Sequence, residues 1–202
     1  MKNSLVALVI ALVVFGCGKE KQLPILGPRY VNEQGDSVFF SIPEFEATRQ
    51  DGTLITNNDL KGKIYVAEFF FTSCPTICPI MTGQLLRVHE KFKEEDRLKI
   101  VSFTLDPKYD TPERMTDHAE RLGINTNQWW FLNDKKSETY ELAQKGYFVT
   151  AIEDESQPGG IVHSGKVSLI DGNGHIRAYY DGTIEADVNV LINDISILLS
   201  EE

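Results

Sequence analysis

Two stretches that read as buried strands constrain the fold of this chain more than any other feature. Ile64 to Phe71 is continuous apart from Glu68, and Leu98 to Leu105 reads as a second buried strand. A strand with one wet face alternates polar and apolar residues. A run without that alternation belongs to a strand covered on both faces. Neighbouring parallel strands need crossovers, and the segment between these two supplies one. Ile80 to Phe92 places Met81, Leu85, Val88 and Phe92 at helical spacing.

The remaining punctuation is consistent with that frame. Phe39 to Ala47 alternates, turns at Asp51-Gly52 and returns through Leu54 and Ile55, which predicts a hairpin. Asn57 to Leu60 reads as a short helical turn. Asp110-Thr111-Pro112-Glu113 is a helix start, with Thr as cap and Pro at the first position, and that helix ends near Leu122-Gly123. Trp129 to Leu132 reads as a strand, and Ser137 to Lys145 as a helix stopped by Gly146. Lys166 to Ile170 and His175 to Tyr180 flank the turn Asp171-Gly172-Asn173-Gly174, a hairpin signal. Ile184 to Leu199 is the last helix. The order is hairpin, β-α-β-α-β-α, hairpin, α. It predicts an α/β fold, a thioredoxin-like mixed sheet flanked by helices with an N-terminal hairpin extension.

The amino terminus carries a different signal. Lys2 precedes an apolar run, Leu5 to Phe15, that is short for a membrane span, which needs about 20 residues. It ends in Val14-Phe15-Gly16-Cys17, which looks like a bacterial lipobox with Cys17 as the lipidated residue. Residues 1–17 then form a lipoprotein signal, 18–37 a polar tether, and 38–202 one domain on the extracytoplasmic side of the cell envelope. The formal net charge of −10 disfavours a nucleic-acid partner.

Assigning Cys17 to an anchor leaves two of the three cysteines for chemistry. Cys74 and Cys78 lie in Phe71-Thr72-Ser73-Cys74-Pro75-Thr76-Ile77-Cys78-Pro79, where a buried strand gives way to a helix. Helix N-termini favour thiolates, and cysteines one turn apart share a face. The pair can hold an ion or close a disulfide, and spacing alone leaves both open. A metal site needs a third ligand. His89 falls in a polar stretch pointing away, His118 reads as solvated, and His175 adjoins a surface turn. His163 follows the loop from Glu153 to Gly160 and precedes the strand that faces the cysteine loop in a thioredoxin-like fold. Two thiolates and an imidazole suit Cu(I), or Cu(II) with a weak further donor. Zinc would want a fourth ligand, which a nearby carboxylate could supply.

Three stretches in order, F-F-F-T-S-C-P-T-I-C-P, T-L-D-P-K-Y-D-T-P-E-R and V-H-S-G-K-V-S-L-I-D-G-N-G, resemble the Sco/SenC family over residues 38 to 200. The resemblance implies a thioredoxin-like fold and copper held by Cys74, Cys78 and His163. It also implies a metallochaperone role towards the dicopper A site in subunit II of cytochrome c oxidase, or another copper-accepting protein. Asp106, near the site, would be a supporting residue behind the ligands. Val162 and Thr76 stand where many members carry acidic residues. The alternative function is a thiol–disulfide oxidoreductase that reduces the oxidase cysteines through Cys74 and Cys78. A peroxide-handling redox sensor and an acidic binding module are more distant readings.

Overall fold

The structure is a computed structural model that describes residues 22–201. The signal sequence and Cys17 lie outside the described residues, as does the start of the tether. A seven-stranded mixed sheet organises the chain. Its central pair is β5 (Ile64–Phe70) and β6 (Leu98–Thr104), parallel and in full register from Ile64↔Leu98 to Phe70↔Thr104. Both strands are buried at every position; β5 accordingly lacks alternation, whereas β6 keeps Lys99, Ser102 and Thr104 in buried positions. β7 (Trp129–Asn133) continues the parallel set beyond β6. The hairpin of β3 (Glu46–Arg49) and β4 (Leu54–Thr56) closes that side. On the other side β10 (Lys166–Ile170) runs antiparallel to β5, and β11 (Ile176–Asp181) forms the outer edge.

Helices cover both faces, as the thioredoxin-like expectation required. α1 (Asn57–Leu60) is a single turn with a capping box between Thr56 and Asp59. α2 (Ile77–Lys91) follows β5 and buries Met81, Leu85 and Val88. It starts one turn earlier than the apolar periodicity indicates, so Cys78 and Pro79 belong to its first turn, where a missing N–H removes no helical bond. α3 (Pro112–Leu122) has the predicted boundaries: Thr111 accepts the Arg114 N–H, Pro112 opens the helix, and Gly123 closes it at φ 66°. α4 (Lys136–Glu141) runs into a π turn, Leu142–Gly146. α5 (Glu185–Glu201) packs beside α2 and buries Val188, Leu191, Ile195 and Leu198.

The structure differs from the sequence reading in three places. Phe39 to Ala47 is not one strand: Ile42-Pro43 interrupts it, and Phe39 instead ends β2 (Ser37–Phe39), which pairs with β1 (Arg29–Val31). The stretch read as a tether over 18–37 is therefore partly ordered, and Leu23 is buried. Second, the loop from Glu153 to Gly160 is the tip of a hairpin. β8 (Ala151–Glu153) and β9 (Ile161–His163) pair as a separate two-stranded flap, with Ala151 opposite His163. Third, His118 is not solvated. Its ring packs edge-on against Phe131 at 5.6 Å and beside Phe70, and burial pushes its pKa down.

Candidate metal centre

The central strand and its helix bring both cysteines to one place. β5 ends at Phe70, and the chain turns through Thr72 and Ser73 so that Cys74 N–H donates to the Phe71 carbonyl at 3.1 Å. Asp110 fixes that turn from the neighbouring strand end. Fully buried, it accepts from the Thr72 N–H at 3.0 Å, from the Thr104 hydroxyl at 2.6 Å, and from the Thr72 hydroxyl. The carboxylate tied to the cysteine loop is thus that of Asp110. Asp106, the expected supporting residue, lies at the start of the same turn, and its carbonyl accepts from Tyr109 and Asp110. Both aspartates belong to one D-P-K-Y-D stretch, and the turn directs the second of them inward.

His163 arrives from the flap. It is 8% exposed, and its Nε2 lies 3.2 Å from Cys78 Sγ and 4.0 Å from Cys74 Sγ. Its Nδ1 lies 3.2 Å from the Ser164 carbonyl, which can only accept, so Nδ1 carries a proton and Nε2 is the ring atom turned towards the sulfurs. Phe71 meets the ring edge-on at 5.7 Å. The flap seats against the cysteine loop at Gly159. A Cβ there would stand 2.8 Å from the Phe71 ring and 3.4 Å from Pro75, and its φ of +84° already favours glycine. The ligand atoms of Cys74, Cys78 and His163 all lie within 4.8 Å of one another. His89 and His175 stay apart: His89 accepts the Asn125 N–H, and His175 donates to the Phe40 carbonyl.

Both cysteines are free thiols and nearly buried, at 7% and 6% exposure, yet they are not equivalent. A hydrogen bond from the Cys78 thiol holds the Cys74 pKa well below the usual thiol range. The His163 ring and the N–H groups of Cys78 and Thr76 at the helix start add to this. The Thr76 hydroxyl does not cap α2 and lies 3.6 Å from Cys74 Sγ. Cys78 is pushed up, first by sharing its proton with Cys74 and then by burial. The proton the two sulfurs share is thus held more tightly at Cys78 than at Cys74.

Sequence reasoning passed over Glu68. It sits in β5 beneath the cluster, 2% exposed, and accepts the Ser102 hydroxyl proton at 2.6 Å; Ser102 in turn accepts the Trp129 indole N–H at 2.8 Å. Burial pushes its pKa up to about 7, against the opposing pull of Ser102 and His163, and its charge helps raise Cys78. The signal was visible as the single acid in an otherwise apolar run.

The donor set fits a soft ion. Two sulfurs and one imidazole nitrogen form a three-donor group, and among the described residues no fourth Cys, His or carboxylate joins it. That favours three-coordinate copper over structural zinc.

The SCO1/SenC family model matches residues 35–199. This chain belongs to the SCO1/SenC family. Among curated relatives, the SCO1 protein homolog of Bacillus subtilis is 30% identical over 164 residues, covering 79% of this chain and 83% of that protein. A putative copper-binding protein of Stutzerimonas stutzeri is 27% identical over 154 residues, covering 73% and 72%. Among solved structures, a SCO1/SenC family lipoprotein from Bacillus anthracis superposes with a TM-score of 0.72 at 30% identity, covering 79% of this chain and 95% of that one. BsSco, described as a member of the Sco family of cytochrome c oxidase assembly proteins with a disulfide switch, gives 0.71 at 27%, covering 81% and 95%. This SCO1/SenC chain shares their thioredoxin-like fold.

Proposed function

We propose that this chain is a copper-binding metallochaperone for assembly of the dicopper A site of cytochrome c oxidase. Cys74, Cys78 and His163 hold the ion. Convergence of their donor atoms within 4.8 Å carries the reading. Copper displaces the proton shared by the two thiols and takes the Nε2 lone pair, which the Nδ1–Ser164 bond already directs. Thiols on subunit II, or on another copper-accepting protein, then compete for the ion. Residues 1–17 act as a lipoprotein signal with Cys17 as the lipid site, residues 18–37, which from Leu23 on pack against the fold, join it to the domain over 38–202, and that domain faces the extracytoplasmic side. Anchor and oxidase then share one membrane, which raises their effective concentration. The lipoprotein relative supports the anchor.

Copper titration of the reduced protein tests the ligand set. Cys74→Ser, Cys78→Ser and His163→Ala should each remove tight binding and its sulfur-to-copper absorption. Unchanged affinity and spectrum in His163→Ala would falsify the assignment.

One observation favours a second reading. The low pKa of Cys74, beside a protonated Cys78, is the arrangement of an attacking and a resolving thiol. The Cys74 thiolate would attack a partner disulfide and release one partner thiol. Cys78 would then displace the second partner thiol, leaving a Cys74–Cys78 disulfide. Disulfide reduction that survives His163→Ala unchanged would favour this reading over the chaperone.

A further inference from the structure

The metal centre and the point where the chain enters the domain lie at opposite ends of the molecule. Cys74 follows the carboxyl end of β5, and α5 begins on that side: Gly182, just before it, donates to the Gly165 carbonyl at 2.7 Å, two residues from His163. α5 then runs back for 17 residues, about 25 Å at 1.5 Å per residue, and ends at Glu201. There the first described residues are gripped. Leu23 is 7% exposed, and its N–H donates to Glu201 Oε1 at 3.0 Å. Arg177, itself buried, donates to the Leu23 and Pro24 carbonyls and pairs with Glu201 at 2.7 Å and Asp171 at 3.2 Å. Leu26 adds a bond to the Ile176 carbonyl at 2.7 Å. A buried guanidinium that meets both carboxylates and two carbonyls is strongly held, because each lost partner would leave a charge or dipole desolvated.

The consequence rests on the anchor reading above. From Cys17 to Leu23 is six peptide steps, a reach of about 20 Å at most. Without the grip the free chain would extend towards β1, and the domain could turn either end to the bilayer. We propose that the Leu23–Arg177–Glu201 clamp fixes which pole faces the membrane. The Cys74–Cys78–His163 centre then points away from the bilayer. Its acceptor is a protein whose receiving groups stand on a domain projecting from the membrane, not at the lipid surface. The same geometry holds if the apolar run over 5–15 stays as the anchor, since the chain enters at the same point.

The full chain in lipid vesicles with a headgroup-borne quencher tests this. A fluorescent amino acid is placed at Glu94, beside the amino end of β6, or at Lys108, beyond its carboxyl end; both are exposed. The clamp predicts quenching several-fold stronger at position 94 than at 108. Glu201→Ala and Leu23→Ser should bring the two towards equality while the copper spectrum stays unchanged. Equal quenching in the unaltered protein, or stronger quenching at 108, would overturn the proposal and leave the anchor reading standing. A protein that fails to partition into the membrane would sink both.

Discussion

Replacing Glu68 by Gln removes a buried acid and little else. The amide oxygen can still accept the Ser102 hydroxyl, and the volume is nearly the same. The effect on stability follows from linkage. Burial carries the Glu68 carboxyl from its ordinary 4.5 to about 7, so the folded protein holds a proton that the unfolded chain gives up. Below pH 4.5 the group is protonated in both states and stability is unaffected. Between pH 4.5 and 7 only the unfolded state ionises, and stability falls by about 1.4 kcal/mol per pH unit. Above pH 7 both states are charged, and the full penalty, about 3 kcal/mol, is in force. Gln pays none of it. Urea unfolding of the reduced, chelator-treated protein at pH 4, 6 and 8 reads the difference directly. Glu68→Gln should match the parent at pH 4 and exceed it by about 3 kcal/mol at pH 8. The cysteines titrate in both proteins, so subtraction leaves Glu68 together with its coupling to Cys78. Stability differences that stay constant across that range would refute a buried, proton-holding Glu68.

Three further outcomes follow from the same contacts. Alkylation followed by mass spectrometry at pH 6 should modify Cys74 well before Cys78, because the Cys74 thiolate persists below the usual thiol range; equal rates would contradict the shared proton. Gly159→Val should lose roughly 1–3 kcal/mol in denaturant unfolding, since its side chain meets Phe71 and its φ is positive, and should weaken copper binding by displacing the flap. Asp110→Ala should lose roughly 3 kcal/mol or more, because it strips three bonds from a fully buried turn; loss below 1 kcal/mol would mean the cysteine loop holds its own shape.

Much of this was legible beforehand because the signals were strong and local. β5 announces itself by lacking alternation, and α3 by its Thr-Pro start and glycine stop. Cys74, Cys78 and His163 could be grouped because the fold class puts strand ends together. The flap escaped because its strands are three residues each and flank a stretch of Gly, Pro and acids that reads as a turn. Which carboxylate ties down the cysteine loop depends on Thr72 and Thr104, not on the D-P-K-Y-D stretch itself. His118 was misjudged because neighbouring acids on α3 hid an aromatic face formed by β5 and β7.

The flap has a mechanical meaning. The two sulfurs ride on the most deeply packed strand and helix, whereas the imidazole is carried by a two-stranded ribbon that shares no ladder with the main sheet. An ion held by all three residues would join the main sheet to that separate ribbon. On the proposed ligand set, the nitrogen is the donor that a partner could reach through the ribbon, while the two thiolates would still hold the ion. Two thiolates on one side would leave the ion open to an incoming thiol, and handover would then proceed by exchange, without release into solution.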